Sequence, residues 1–343
     1  MKQDLRLPFE KIEREIIVKK ESKSDSNYGC DPYNRPIPEL IKYGIVNVDK
    51  PKGPTSHQVS AYVQQILKIK KSGHSGTLDP AVTGCLPIAL DRATKAVQVL
   101  LTAGKEYIAL MHLHKKHEEY EIYQTAEKFV GKIRQMPPIK SAVKRQWRER
   151  TVYYLKIIEI KDQDVLFRVG CEAGTYIRKL IHDMGKDLGS GAHMVELRRT
   201  KAGPFNEEKS LSTLQDLADS FHYWNEESSE EKIRKVILPM ETAVEHLPKV
   251  WITDSTVDAI CHGANLAAPG ISKLNSNIEP DQFIAVMTLK GELVAYGKAL
   301  CNSKKMLEPK GMVVNVMKVF MDTGTYPKPI KKESPSNISV DNV

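Results

Sequence analysis

Residues 73–84 read GHSGTLDPAVTG. This stretch places one histidine, several hydroxyl side chains and one aspartate among three glycines, and a proline follows the aspartate directly. Pro80 restricts Asp79 to an extended or turn backbone, and the flanking glycines allow a substrate to approach the chain closely. The stretch is therefore a candidate catalytic or ligand-binding loop, and four chemistries can be weighed for it.

Two of these chemistries disagree with the residue pattern. A phosphate-binding loop requires G-x-x-x-x-G-K-[ST], and no Lys-Ser or Lys-Thr pair occupies that place here. A serine hydrolase elbow requires G-x-S-x-G, whereas Ser75 stands in the sequence G-H-S-G. Nucleotide hydrolysis is therefore set aside, and nucleophilic attack by Ser75 is disfavoured.

Metal binding and carboxylate catalysis are the remaining chemistries. His112 and His114 would share one face of a strand near His117 and Glu118, although a solvated strand end explains them better than a metal site. A single carboxylate, Asp79, can attack or deprotonate a sugar centre. The structural alternative is a turn that Asp79 merely caps. Local pattern leaves this last choice open.

Composition limits the class of protein. The chain has 343 residues, 41% of them hydrophobic and 27% charged, which suits a soluble globular protein of about two domains. No run approaches the roughly 20 apolar residues that span a bilayer, so we expect an intracellular protein with no membrane partner. The five cysteines are scattered and form no C-x-x-C, which argues against a disulfide framework or zinc knuckle. The net charge of +8 points to a polyanionic partner, with nucleic acid preferred over membrane.

The hydrophobic pattern predicts strands and helices in mixed order. Ser56 is expected to cap an amphipathic helix, and residues 92–103 are predicted to be helical throughout. Because the elements show no regular βαβ alternation, we predict an α+β fold with a mixed, largely antiparallel central sheet flanked by helices. The predicted parts are an arm at 1–43, a main body at 44–247, a small, mostly β domain at 248–323 and a disordered tail at 324–343.

The loop at 73–84 resembles the catalytic motif H-[ST]-G-x-L-D-P of the TruB/dyskerin family of RNA pseudouridine synthases. Four further segments resemble family motifs in the same order, namely VDKPKGPTSHQV from residue 48, KEYIALMHL from 105, GTYIRKLIHDMG from 174 and ELRRTKAGPF from 196. Residues 248–323 resemble a PUA domain, an RNA-binding module of pseudo-barrel form. The segment PPIKSAVKRQWRERTVY and the short tail resemble the archaeal, guide-RNA-dependent branch related to dyskerin.

The resemblance implies a pseudouridine synthase fold, followed by a PUA pseudo-barrel on which the N-terminal arm is expected to pack. The implied reaction detaches uracil from its ribose, rotates it and rejoins it through carbon five, with no cofactor and no metal. Asp79 would be the essential carboxylate, either as nucleophile at the anomeric carbon or as base at the neighbouring carbon. Tyr107 would stack on the extruded base, and Arg178 would pair with Asp79 and orient it.

The resemblance also implies residues and partners for RNA binding. His74 would fill the space left by the flipped base, Lys50 and Pro51 would floor the site, and Leu197 would pack on the uracil. The other RNA-binding candidates are Tyr176 and the basic loop residues Lys140, Lys144, Arg145 and Arg148. Expected partners are tRNA, rRNA, H/ACA guide RNA and small H/ACA proteins, with the chain monomeric within the particle and cytoplasmic, or nucleolar in a eukaryote. The alternative is a catalytically silent RNA-binding scaffold of the same fold.

Overall fold

The computed structural model describes residues 4–137, 144 and 146–328. Within these residues the chain forms two compact units, 4–13 with the described part of 32–247, and 14–31 with 248–328. Residues 4–43 are thus shared between the two units. Of the predicted tail, residues 329–343 lie outside the described residues.

The strands of the described chain are β1 Ile16–Val18, β2 Gly44–Lys50, β3 Ser72–His74, β4 Thr83–Leu90, β5 Lys105–Leu113, β6 Gly131–Gln135, β7 Arg148–Lys161, β8 Asp164–Cys171, β9 Ala192–Ala202, β10 Phe205–Asn206, β11 Leu211–Ser212, β12 Leu238–Pro239, β13 Lys249–Ile252, β14 Leu266–Ala267, β15 Ile271–Asn275, β16 Phe283–Met287, β17 Leu293–Ala299 and β18 Met312–Val319. The α-helices are α1 Ile37–Lys42, α2 Ser56–Leu67, α3 Val97–Leu101, α4 Glu119–Lys128, α5 Ile177–Asp187, α6 Glu207–Ser210, α7 Leu214–Glu227, α8 Glu231–Val236, α9 Asp254–Cys261 and α10 Ser303–Met306. No helix among the described residues is both long and apolar enough to cross a bilayer.

The first unit is built on a mixed sheet of eleven described strands. Eight strands follow the order β11-β2-β4-β9-β5-β8-β7-β6, while β3 pairs with β4, β10 with β9 and β12 with β2. Among the described pairs, β11 with β2 and β4 with β9 are parallel, and the others are antiparallel. The predicted α+β fold with a largely antiparallel sheet is therefore confirmed.

Helix α2 packs on the strands that lead into the loop at 73–84. Val59 and Val63 recur at helical spacing and meet Val48 and Leu86 in one buried cluster. Burying each such side chain contributes about 1.5–3 kcal/mol. The helix begins differently from the prediction, because Thr55 is the N-cap and accepts from the Gln58 amide. Ser56 is instead the first helical residue, so its assignment as the cap was wrong.

The segment predicted as one helix at 92–103 is divided. A 3-10 helix spans Asp91–Ala96, and α-helical geometry is confined to α3. The Thr94 hydroxyl donates to the Asp91 carbonyl at 2.7 Å, which gives the backbone a local alternative to helical hydrogen bonds. The hydrophobic pattern therefore predicted a helical segment here, but not that its first half is a 3-10 helix.

The described part of the second unit contains a sheet of seven strands in the order β1-β15-β13-β16-β17-β18-β14. Strand β1, from the N-terminal segment, pairs antiparallel with β15 at the edge of this sheet. The inward side chains, including Ile252, Leu274, Val286 and Val314, form one apolar core. The N-terminal segment of this unit thus completes a small, mostly β body.

The close approach of β4 to β9 requires a glycine, which gives a first prediction. Gly84 has φ +100°, and a Cβ there would lie 2.2 Å from the Arg199 carbonyl oxygen. We expect Gly84→Ala to lower the free energy of unfolding by about 3 kcal/mol or more in urea denaturation. Gly73→Ala is the control, because its Cβ would meet its nearest neighbour at 3.6 Å. Equal losses in the two variants would contradict this account of the strand contact.

Candidate active site

The loop that carries Asp79 is fixed by a buried ammonium group. Lys50, at the end of β2, has no exposed surface. It donates to the carbonyls of Pro51 at 2.9 Å, Pro80 at 3.1 Å and Val82 at 2.8 Å. Burial lowers the pKa of Lys50, and the nearby Asp79 carboxylate opposes that shift. The three acceptors compensate the desolvated charge and hold the turn after Asp79.

Ser56 holds the other side of the same loop. Its hydroxyl accepts from the Leu78 amide at 2.8 Å and donates to the Leu78 carbonyl at 3.2 Å. The Val82 amide donates to the Asp79 carbonyl at 3.0 Å, which closes a turn around Pro80. The first residue of α2 and the end of β2 therefore fix the backbone on both sides of Asp79.

Arg199 is a buried cation that the sequence analysis missed. Its Nε donates to the Cys85 carbonyl at 2.7 Å, and its guanidinium also donates to the Gly76 carbonyl at 3.3 Å. It lies opposite Tyr107 of β5, where burial raises the pKa of the tyrosine hydroxyl and the charge of Arg199 lowers it. A signal was present, because Arg199 lies two residues after Leu197 in a strand and therefore shares its face.

Asp79 contacts Arg178 across 99 positions of sequence. Arg178 is the second residue of α5, and its Nη2 donates to Asp79 Oδ2 at 2.5 Å. The two side chains are 53% and 57% exposed. Because exposed ion pairs contribute about 0–1 kcal/mol, stability does not account for this geometry. The contact instead presents an oriented carboxylate to solvent.

The start of α5 is held by Gln135, a second residue that the sequence analysis missed. The Gln135 amide donates to the Tyr176 carbonyl at 3.2 Å and accepts from the Tyr176 amide at 3.0 Å. Tyr176, an RNA-binding candidate, is thus the half-buried residue that precedes the helix. This clamp fixes the turn from which Arg178 extends. Nothing in the local sequence pattern around Gln135 indicated it.

The remaining candidates lie around this loop and on the adjoining strands. Tyr107 is half-buried, and burial raises the pKa of its hydroxyl, with Arg199 partly offsetting the rise. His74 ends β3, with its ring centroid 4.7 Å from that of His57. Burial lowers the pKa of His74, and His57 and Arg199 lower it further.

Leu197 is half-buried opposite Ala109, whereas Pro51 is exposed.

The basic segment is described only in part. Lys140 and Arg145 lie outside the described residues. Lys144 is exposed, and Arg148 is half-buried at the start of β7. The exposed Trp147 ring has the Arg134 guanidinium 5.7 Å from its centroid. The described part of the segment therefore presents cations and one aromatic ring.

Ser75 is poorly placed for nucleophilic attack. It is 1% exposed, and its hydroxyl has no hydrogen-bond partner among the described residues. A serine nucleophile needs an adjacent base. The geometry therefore offers no hydrolase centre at Ser75.

The histidines of the metal hypothesis are engaged with other side chains. His112 contacts Asp164 at 2.7 Å, and His114 contacts His193 at 3.1 Å. His117 contacts Glu121 at 3.2 Å. In the described part of the chain, no group of three or more His, Cys, Asp or Glu residues is arranged to hold a metal ion.

Comparison with protein families matches most of the described chain. The TruB family pseudouridylate synthase N-terminal domain matches residues 64–177, and the tRNA pseudouridylate synthase B C-terminal domain matches 178–245. A PUA domain matches 248–320 and a DKCLD domain matches 5–60. A relative from Nanoarchaeum equitans is 58% identical, covering 95% of this chain and 93% of the relative. The chain belongs to the TruB family of pseudouridylate synthases.

Other relatives and solved structures agree with this membership. A Methanopyrus kandleri relative is 54% identical over 95% of this chain and 96% of its own length, and both relatives are named probable tRNA pseudouridine synthase B. A Cbf5-Nop10-Gar1 complex contains a chain 55% identical, with a TM-score of 0.90 over 94% of this chain and 98% of that chain. An H/ACA RNP bound to a substrate RNA containing 2′-deoxyuridine contains one 52% identical, with a TM-score of 0.89 over 95% and 100%. The predicted family, fold and enzyme class are confirmed.

The carbonyl cage around Lys50 gives a second prediction. Lys50→Met removes the ammonium donor to three carbonyls, including the buried carbonyl of Val82, so the free energy of unfolding should fall by about 3 kcal/mol in urea denaturation. Lys52→Met, at an exposed position of the same turn, is the control and should change stability by less than about 0.5 kcal/mol. A Lys50→Met protein as stable as the control would show that the cage does not hold the loop.

The environment of His74 gives a third prediction. NMR titration, with the signal assigned through His74→Gln, should give a pKa below the ordinary value of 6.5. His57→Gln should raise that pKa. Between pH 6.5 and the lower pKa of folded His74, the unfolded chain binds more protons at this histidine than the folded chain does. The contribution of His74 to stability is therefore lost as the pH falls from 6.5 through the folded pKa. A His74 pKa at or above 6.5 would refute this description of its surroundings.

Proposed function

We propose that this chain isomerises uridine to pseudouridine within RNA, with Asp79 as the essential carboxylate. The observation that carries the proposal is the 2.5 Å contact between Asp79 and Arg178. The buried side chains of Lys50 and Ser56 fix the loop by hydrogen bonds, whereas the contact of Asp79 with Arg178 remains exposed. A preorganised carboxylate open to solvent suits attack on the sugar of a large substrate.

In the proposed reaction the bond between N1 and C1′ of the uridine breaks, and a bond between C5 and C1′ forms. The uracil gains a proton at N1 and loses one from C5, so substrate and product are isomers. Asp79 acts on the ribose either as nucleophile at C1′ or as base at C2′. Both roles require its carboxylate at the sugar face, where Arg178 orients it.

The target uridine has to leave its stack before its sugar face is accessible. Extrusion costs a few kcal/mol, and stacking on Tyr107 would return about 1–3 kcal/mol. Arg199 lies opposite this tyrosine, while Leu197 would pack on the uracil. His74 would fill the vacated space as a neutral imidazole, because its pKa is lowered. Lys50 and Pro51 would form the floor of the pocket.

We further propose that guide RNA and small H/ACA proteins select the substrate, because highly similar chains occur in a Cbf5-Nop10-Gar1 complex and in an H/ACA RNP with substrate RNA. The name tRNA pseudouridine synthase B among relatives favours tRNA as a second substrate, modified in its TΨC loop. The PUA domain, Lys144 and Arg148 would supply contacts to the phosphate backbone. We infer a cytoplasmic location, where such RNA is found.

A catalytically silent scaffold is the competing hypothesis. It requires RNA binding but gives no role to an oriented, exposed carboxylate. The contact of Asp79 with Arg178 favours catalysis instead.

The fourth prediction tests the role of Asp79 in pseudouridine formation on tRNA transcript and on a guided RNA with its small proteins. Asp79→Asn should give no detectable product while RNA affinity stays within about threefold, since the change removes the carboxylate but few phosphate contacts. Arg178→Lys should slow turnover about 10- to 100-fold through loss of a charge-assisted hydrogen bond. The control is Asp164→Asn, which alters a carboxylate 51% exposed and paired with His112. It should keep wild-type turnover.

Two outcomes would reject the proposal. Folded wild-type protein that binds RNA but yields no pseudouridine in either format would favour the scaffold. Turnover retained by Asp79→Asn would remove Asp79 from the mechanism while leaving the family's activity intact.

A further inference from the structure

Glu106 is a buried carboxylate one residue before Tyr107, and it is 1% exposed. The hydroxyl of Thr200 donates to its Oε1 at 2.7 Å, and the hydroxyl of Tyr154 donates to its Oε2 at 2.5 Å. Arg168 lies 3.6 Å from Oε1. Because well-packed apolar residues usually replace such buried networks without loss of stability, stability alone does not explain a carboxylate here.

Thr200 is the extra residue of a β-bulge. Glu106 lies opposite Lys201 in β9 and Tyr107 lies opposite Arg199, so Thr200 has no partner in β5. Its carbonyl accepts from the Cys85 thiol at 3.2 Å. The bulged residue is therefore held from two sides, by the Cys85 thiol at its carbonyl and by the Glu106 carboxylate at its hydroxyl.

The bulge decides which β9 side chains reach the site. Beyond it, Arg199 lies opposite Tyr107, and Leu197 lies opposite Ala109. Without the extra residue, Thr200 would lie opposite Tyr107. Because a slip of one residue turns every side chain to the other face of a sheet, Leu197 and Arg199 would then leave the site. Bulges next to active sites often re-aim side chains in this way.

Tyr154 reaches the same carboxylate from the other direction. Gly170, in β8, lies opposite both Glu106 and Tyr154. A Cβ at Gly170 would lie 2.2 Å from Tyr154 Cζ, so the tyrosine ring crosses a position without a side chain. The bond from Tyr154 joins β7 to β5 and does not involve β9. It therefore donates to the Glu106 carboxylate without contacting the bulged strand.

We propose that Glu106 is a positioning residue for the pseudouridine reaction, which through Thr200 holds the β9 bulge so that Leu197 and Arg199 face Tyr107 and the extruded uridine. The inference rests on the proposed function, because the side chains it positions are those assigned to the base. It predicts that the two hydroxyl donors to Glu106 differ in their effect on turnover.

The fifth prediction compares Thr200→Val with Tyr154→Phe, each of which removes one hydroxyl donor from Glu106. Thr200→Val should lower kcat at least about 10-fold with KM for RNA within twofold, because misplacement by about 1 Å can cost 10²-fold in rate. Tyr154→Phe should keep both constants within about twofold despite a comparable loss of stability. Thr200→Ser restores the hydroxyl and should recover at least half of the wild-type kcat. All proteins are assayed at a temperature where circular dichroism shows them folded.

The outcomes separate this inference from the proposed function. Inactive wild-type protein would overturn the proposed function itself. Active wild-type protein with equal kcat in Thr200→Val and Tyr154→Phe would overturn only the positioning role. Failure of Thr200→Ser to restore kcat would do the same, since any loss would then come from altered packing. If Thr200→Val does not fold, the smaller Thr200→Ala is measured against the same control and the same criteria.

Discussion

The ammonium of Lys50 and its three carbonyl acceptors are the interaction on which the rest of the site depends. Taking a lysine out of water costs several kcal/mol, and hydrogen bonds to backbone carbonyls recover that cost only when the carbonyls converge. The convergence comes from β2, which ends at Lys50 beside the start of β4. Apolar packing of α2 on these strands thus brings the donor to the turn after Asp79.

The buried charges of the site fix its backbone, whereas the exposed charges are available to the substrate. Lys50 and Arg199 donate hydrogen bonds to backbone carbonyls and fix the loop before substrate binds. Asp79 and Arg178 are more than half exposed and contribute little to stability. Catalytic groups held in this way need little reorganisation during reaction, which is the main advantage of a preorganised site. In the same way, the buried hydrogen bond between Glu106 and Thr200 would preorganise β9, the strand that carries Leu197 and Arg199.

The sequence predicted those features that depend on local pattern. Valines at helical spacing located α2, and the order of five motifs placed Asp79, Tyr107 and Arg178 in one family. Features that depend on tertiary contact were missed. A charged residue in a strand normally faces solvent, so the position of Arg199 on the same face as Leu197 was the one sign of its burial. No residue pattern indicates the bulge at Thr200. Ser56 was read as a helix cap, although its hydroxyl is used by Leu78.

Amide hydrogen exchange at Leu78 and Val82 tests most directly whether buried cations, and not the exposed ion pair, hold the loop. The Leu78 amide donates to Ser56 and the Val82 amide donates to the Asp79 carbonyl. The account predicts that Arg178→Gln leaves both protection factors within about threefold of wild type, whereas Lys50→Met lowers them about 100-fold. Equal loss of protection in the two variants would contradict it.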